Sequence, residues 1–197
     1  MIEDLEKVEV RSAAEVWSWF KTHHAQPDSI WLVTYKKAVP KRYVSNSEVV
    51  DACIAHGWMD GRRKKLDDTR TMQLLAPRKA PHWALSYKVR AARLIATNKM
   101  HPAGMAKIDQ AIQDGHWHTM DSVDALEVPP DLQAAFAVNP QAKDQYETFP
   151  PSAQRDILRW IHLARTTKTR TKRIYETVFL AAQGKRASGT GAKRRKN

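Results

Sequence analysis

The chain has 197 residues, 42% of them hydrophobic, with seven tryptophans and a formal net charge of +12. That length and apolar content exclude a disordered chain and allow one large domain or two small ones. The charge points to anionic partners (nucleic acid, anionic lipid, acidic protein) and says nothing about fold. A single cysteine, Cys53, excludes an internal disulfide framework and fits a reducing compartment. No apolar run reaches membrane-spanning length, and the opening MIEDLEKVEV is acidic without an apolar signal region. A cytoplasmic protein with no transmembrane segment is expected.

In chain order, Ser12 followed by Glu15 predicts a capped helix over 12–24, with Val16, Trp17 and Phe20 at helical spacing. Pro27-Asp28-Ser29 is a turn, and SIWLVTY, 29–35, reads as a buried strand. After a loop around Pro40, Ser47 is expected to cap a helix running to His56. Its apolar stripe is Val49, Val50, Cys53 and Ile54, and Gly57 stops it. Residues 58–66 and 69–75 predict a hairpin turning at Asp67-Asp68. Pro77 to Pro81 ends the β region.

Helices follow over 83–97, with Leu85, Val89, Ala92 and Ile95 on one face, and from Pro102 to Gly115, preceded by His101. A linker over 117–129 carries Pro129. Segments 131–138, 141–148, 151–165 and 169–183 read as four short helices. The expected fold class is α+β. An N-terminal region, 1–116, holds a small sheet and packed helices; an all-helical region, 130–183, follows. Residues 184–197 read as a disordered basic tail, in which Lys185, Arg186, Lys193, Arg194, Arg195 and Lys196 meet no acid.

Strong catalytic motifs are absent: no Gly-x-Ser-x-Gly, no His-Glu-x-x-His, no phosphate-binding glycine loop and no paired zinc cysteines. The eight histidines group in sequence only as His23 with His24, His56 near Cys53, and His116 with His118. A structural metal site needs about four ligands, so no metal and no cofactor is expected. Cys53 as a nucleophile would need a lowered pKa and a base, for which His56 is the neighbour. Acid–base chemistry would fall to Asp60, Asp67 or Asp68.

The stretch HGWMDGRRKKLDD, 56–68, puts an aromatic and an acid between two glycines, ahead of four cations. Strand alternation places Trp58, Asp60, Arg62 and Lys64 on one face. Cations on both faces suit an edge strand blocked by lysines. They also suit a strand lining a basic groove, in which Trp58 could stack on a ligand, though the edge strand is the first reading. Near the end, Arg155 and Arg159 form a ridge on one helix, and Arg170 and Arg173 on the next. The pair reads either as a solvated face or as a nucleic-acid surface.

AHGWMDGRRKKLDD, APRKAPHWALSYKVRAARLI and NKMHPAGMAKIDQAIQDGHW resemble the YdeI/OmpD-associated family, also called bacteriocin-protection or OmdA-like proteins. FPPSAQRDILRWIHLARTTKTRTKRIYETV looks like its OmdA domain. The resemblance runs from the first strand to about Ala182. Departures fall between Pro77 and Arg93: the family's Thr-Pro-Arg is Ala76-Pro77-Arg78, its Ser-x-Trp-Ser is Pro81-His82-Trp83-Ala84, and an expected Asn is Tyr87. The resemblance implies a cytoplasmic protein of envelope stress or antimicrobial-peptide resistance, with an envelope-related or regulatory protein partner. It transfers no catalytic set.

Three functions stay in view. The first is a non-enzymatic stress or bacteriocin-protection protein that binds an anionic ligand or a protein. There Trp58 and Trp83 would stack or pack, and Arg62, Lys64 and Arg78 would supply charge, with Asp60 orienting one of them. The second is a nucleic-acid-binding protein using Arg155, Arg159, Arg170, Arg173 and the tail. The third is an enzyme on a small anionic substrate, using Asp60 or Cys53 with His56.

Overall fold

The strand expected over 29–35 is β2 (Ile30–Tyr35) of a four-stranded sheet in a computed structural model that describes residues 4–187. The order is β1-β2-β4-β3, with β1 (Lys7–Glu9) parallel to β2 and the hairpin β3 (Trp58–Lys65)–β4 (Arg70–Pro77) antiparallel. The three-residue β1 was not predicted; it carries too few residues to show an alternation. β3 is an edge strand, as one of the two sequence readings had it. Asp67 shapes the hairpin turn: its Oδ1 accepts from Thr69 N (2.9 Å) and Arg70 N (2.7 Å). Arg70 also pairs with Glu9 on β1 and holds the Asp67 carboxyl far below its usual range. Asp67 is therefore a turn fastener and not a proton carrier.

Helix α1 (Ala13–His23) is capped by Ser12, whose Oγ accepts from Glu15 N at 3.2 Å. Helix α2 (Asn46–Ala55) starts two residues earlier than expected. Ser45, not Ser47, is the cap, and it closes a full capping box with Glu48. Helix α2 is buried on both sides. Val49, Ala52 and Cys53 face the sheet core with Phe20, Leu32 and Leu75. Val50, Ile54 and Ala55 face α3 (Leu85–Ala96) and α4 (Pro102–Gln113). Gly104 makes the α2–α4 approach possible, because a Cβ there would lie 2.2 Å from the Ala55 carbonyl oxygen.

The chain divides into two compact units between Thr119 and Met120. The predicted linker over 117–129 is thus structured. Trp117 packs on Trp83 with ring centroids 5.2 Å apart, while Met120 and Val123, around the short α5 (Asp121–Asp124), are buried in the C-terminal core. That core is built by α6 (Pro130–Ala137), α7 (Pro140–Glu147), α8 (Pro151–His162) and α9 (Thr167–Ala181), close to the four predicted helices. Leu132, Phe136, Tyr146, Ile157, Ile161 and Ile174 fill it. Residues 184–187, expected to open the disordered tail, pack instead against the C-terminal unit. Gly184, at φ +67°, turns the chain so that Lys185 N donates to Leu180 O at 2.9 Å, and Ala187 is buried. The predicted tail from 188 to 197 lies outside the described residues.

No helix among the described residues is long and apolar enough to cross a membrane.

Candidate anion-binding site

The alternation expected along 58–66 breaks in the middle. Asp60 pairs with Leu75 but Arg63 pairs with Gln73, so β3 carries one residue more than β4 between those points. Such a bulge flips the side-chain parity. Arg63, and not Arg62, joins the Asp60 side: its guanidinium donates to Gln73 Oε1 at 3.2 Å, and Gln73 Nε2 donates to Asp60 Oδ2 at 3.1 Å. Arg62 and Lys64 lie instead over the Trp31 ring, 5.7 and 5.2 Å from its centroid. The predicted set of Trp58, Asp60, Arg62 and Lys64 on one face is therefore split.

Trp58 is also not a ligand platform. It is buried in the sheet core against Phe20 and Trp19, and its indole N–H donates to His24 O at 2.8 Å. Arg78 and Trp83 do come together. The Arg78 guanidinium carbon sits 3.8 Å from the Trp83 ring centroid and 5.5 Å from that of Tyr87. Tyr87, the position that departs from the family pattern, donates its hydroxyl to Asp60. Burial and this bond to a carboxylate push the tyrosine up. Arg78, Trp83, Tyr87 and Asp60 thus form one packed group, with Gln73 and Arg63 behind the carboxylate.

Arg78 is only 7% exposed. One terminal nitrogen donates to His82 O at 2.6 Å, but its Nε is buried with no hydrogen-bond partner. No carboxylate among the described residues pairs with it directly; burial lowers its pKa, and Asp60 acts on it only at longer range. Arg78 and Trp83 line a cavity of about 370 Å³ whose other walls include Lys79, Lys107, Asp114 and His116. Asp114 already accepts from Gln110 at 2.8 Å. The wall is thus cationic, with one acid. A larger cavity of about 490 Å³ in the C-terminal unit differs: its lysine and glutamate, Lys143 and Glu147, pair with each other at 3.7 Å.

The histidines converge in a way their spacing did not reveal. His24, His56 and His101 come from the end of α1, the end of α2 and the cap of α4. Their ring centroids are 4.4 Å (24–101), 5.1 Å (56–101) and 6.1 Å (24–56) apart. His101 Nδ1 accepts from Ala103 N, capping α4. His56 Nδ1 is bonded to Ala52 O. Burial lowers the pKa of both, and the neighbouring histidines lower them further. No cluster of three or more histidine, cysteine or acidic side chains among the described residues has the arrangement of a metal site. Cys53 is fully buried and its thiol is pushed well up, mainly by desolvation, so it lacks the thiolate a nucleophile requires.

The four arginines of the predicted nucleic-acid ridges are engaged within their own unit. Arg155 meets Asp124 at 3.5 Å, Arg159 meets Asp156 at 3.6 Å, and Arg170 forks onto Asp131 at 2.5 and 2.9 Å. Arg173 donates to the Trp160 carbonyl and lies over its ring.

The fold and site define a two-unit α+β protein with a cationic cavity built on the N-terminal unit. Residues 8–107 match the model of a domain of unknown function (DUF8412), and residues 125–184 match the OmdA model, described as bacteriocin-protection, YdeI or OmpD-associated. The first match covers just over half of the chain, which belongs to that family. The second supports the YdeI/OmpD-associated resemblance, centred on the C-terminal unit, while two of the N-terminal segments that carried it, and half of the third, fall under the first. No curated protein and no solved structure matches the chain.

Proposed function

We propose that this is a bacteriocin-protection-type binding protein whose N-terminal unit takes a small anion in the cavity beside Arg78 and Trp83. One observation carries the reading: a guanidinium nine-tenths buried, with an unpartnered Nε and no carboxylate in contact, at the wall of a cationic cavity. Burying a charge without a counter-charge is costly. An anion in the cavity would offset that cost and turn a strained feature into a binding one. Trp83 holds the guanidinium flat by stacking, and Lys79 and Lys107 supply charge at the rim. Non-enzymatic action in the cytoplasm, with protection exerted through the liganded protein, completes the proposal.

The test is calorimetry and thermal melting of the full chain at low ionic strength with inorganic phosphate, sulfate, citrate and benzoate. At least one should bind and raise the melting temperature. Lys79→Gln with Lys107→Gln, both exposed positions, should weaken that binding by roughly tenfold while leaving the ligand-free melting temperature unchanged. The same double variant should reduce bacteriocin tolerance in a host lacking the protein. Absence of any heat or melting shift across the panel would reject the cavity as an anion site.

A further inference from the structure

We propose that the outer face of α9 in the C-terminal unit is a binding strip for single-stranded nucleic acid. The inner face of this helix is committed: Ile174, Thr177 and Ala181 are buried, Arg170 is held by Asp131 and Arg173 by the Trp160 carbonyl. Lys168, Lys172, Tyr175 and Phe179 follow one another at steps of four, three and four residues. At 3.6 residues per turn that spacing makes a single stripe, on the side of the helix away from the core.

Tyr175 is 70% exposed and Phe179 53% exposed. Their rings are within 13° of parallel with centroids 6.1 Å apart, one helical turn from each other. Two large exposed rings in register are an unusual use of apolar surface unless something stacks on them. The two lysines, one and two turns upstream, form no ion pair among the described residues. A purely apolar partner would gain nothing from those charges. A polyanion with accessible flat bases uses both: phosphates meet Lys168 and Lys172 while bases stack on Tyr175 and Phe179. Duplex fits less well, since its bases are already stacked on each other, and Arg155, Arg159, Arg170 and Arg173 already meet carboxylates or a carbonyl of their own unit.

The sequence after α9 ends in Lys193, Arg194, Arg195 and Lys196, so the test must separate the strip from these cations. A full-length variant with all four changed to Gln is titrated by anisotropy against labelled oligo(dT) of about 12 nucleotides. It should bind. Adding Tyr175→Ala and Phe179→Ala should weaken binding at least about tenfold, one stacked base being worth roughly 1–3 kcal/mol. Adding Lys168→Gln and Lys172→Gln instead should lower the salt slope by about 1.4. All four side chains are exposed, so an unchanged melting transition shows that losses are not unfolding. Equal affinity with and without the two rings would overturn the proposal. So would loss of binding to phosphatidylglycerol vesicles on ring removal while oligonucleotide affinity stays the same, which would assign the strip to a lipid surface.

Discussion

The ridge arginines of the C-terminal unit and Arg78 of the N-terminal unit are held in opposite ways, although other N-terminal arginines, Arg70 and Arg90 among them, also meet carboxylates. In the C-terminal unit Arg155, Arg159 and Arg170 each meet a carboxylate, and Arg173 meets a carbonyl. Those cations already have partners inside their own unit. In the N-terminal unit Arg78 is more deeply buried, lies on tryptophan and tyrosine rings, and has a free Nε. Density of basic residues and state of pairing therefore diverge in this molecule, and the proposed anion site rests on the second.

The largest expected effect tests whether the two units are separately stable. Gly104→Ala would drive a methyl group into the Ala55 carbonyl. Overpacking against backbone should cost the N-terminal unit about 2–3 kcal/mol. Hydrogen exchange by mass spectrometry should show lost protection in α2 and α4 and none in α7 to α9. Equal loss in both units would mean that they unfold as one body.

Acid should separate the units next. His56 and His101 have pKa values lowered in the folded protein, so the unfolded chain binds protons first as pH falls. Their contribution is complete above the ordinary histidine range, near pH 6.5, and is lost as pH falls below it. Protonating His101 at Nδ1 also removes the acceptor that caps α4. Amide protection factors in α2 and α4, which allow for the slower intrinsic exchange in acid, should therefore fall between about pH 7 and pH 5. His56→Gln should flatten that dependence. An equally steep response in the variant would put the acid sensitivity elsewhere.

What could be read in the sequence divides along similar lines. The four C-terminal helices were legible because each buries one stripe and is bounded by proline or a small polar cap, as Pro140 and Pro151 show. β2 was legible as a short apolar run. The pairing of Arg78 with Trp83 was partly legible, since both stood out as basic and aromatic positions after the hairpin. The bulge was legible only in part: Gly61, a glycine inside a strand, reads as a bend, but nothing local says that β4 supplies one residue fewer between Asp60 and Arg63, and that single residue moved Arg62 and Lys64 to Trp31. The trio of His24, His56 and His101 was not legible either. Each sits at a helix end, and only the tertiary packing of α1, α2 and α4 brings those ends together. The choice of Ser45 over Ser47 could have been made from Glu48 three residues on.

A smaller effect, of opposite sign, is expected at Tyr146. Its hydroxyl is the C-terminal counterpart of Arg78 Nε, buried without a partner, and desolvation pushes it up to about 12. Here a charge is not at stake, only an unsatisfied hydroxyl. Tyr146→Phe removes it while keeping the ring against Phe136 and Phe149, and should raise C-terminal stability by up to about 1 kcal/mol. The calorimetric melting temperature checks this. A marked loss would mean that the hydroxyl has a bound partner in solution.

The smallest expected effect concerns the best-formed ion pair. Arg170 and Asp131 are bidentate but their side chains are 30% and 45% exposed. Solvent screening limits such a pair, so Arg170→Ala should cost less than about 1 kcal/mol despite the geometry. The pH signature is the sharper readout. Arg170 lowers the Asp131 pKa in the folded state, so this contribution is present above the ordinary aspartate range and is lost as pH falls through the lowered folded value. In the Ala variant the Asp131 carboxyl, followed by carbon-detected NMR, should titrate closer to its usual range. If it does not move, the backbone N–H bond from Leu132 holds the carboxylate by itself. The arginine would then be free to meet an external phosphate, and the contrast between the two units would have to be redrawn around Arg170.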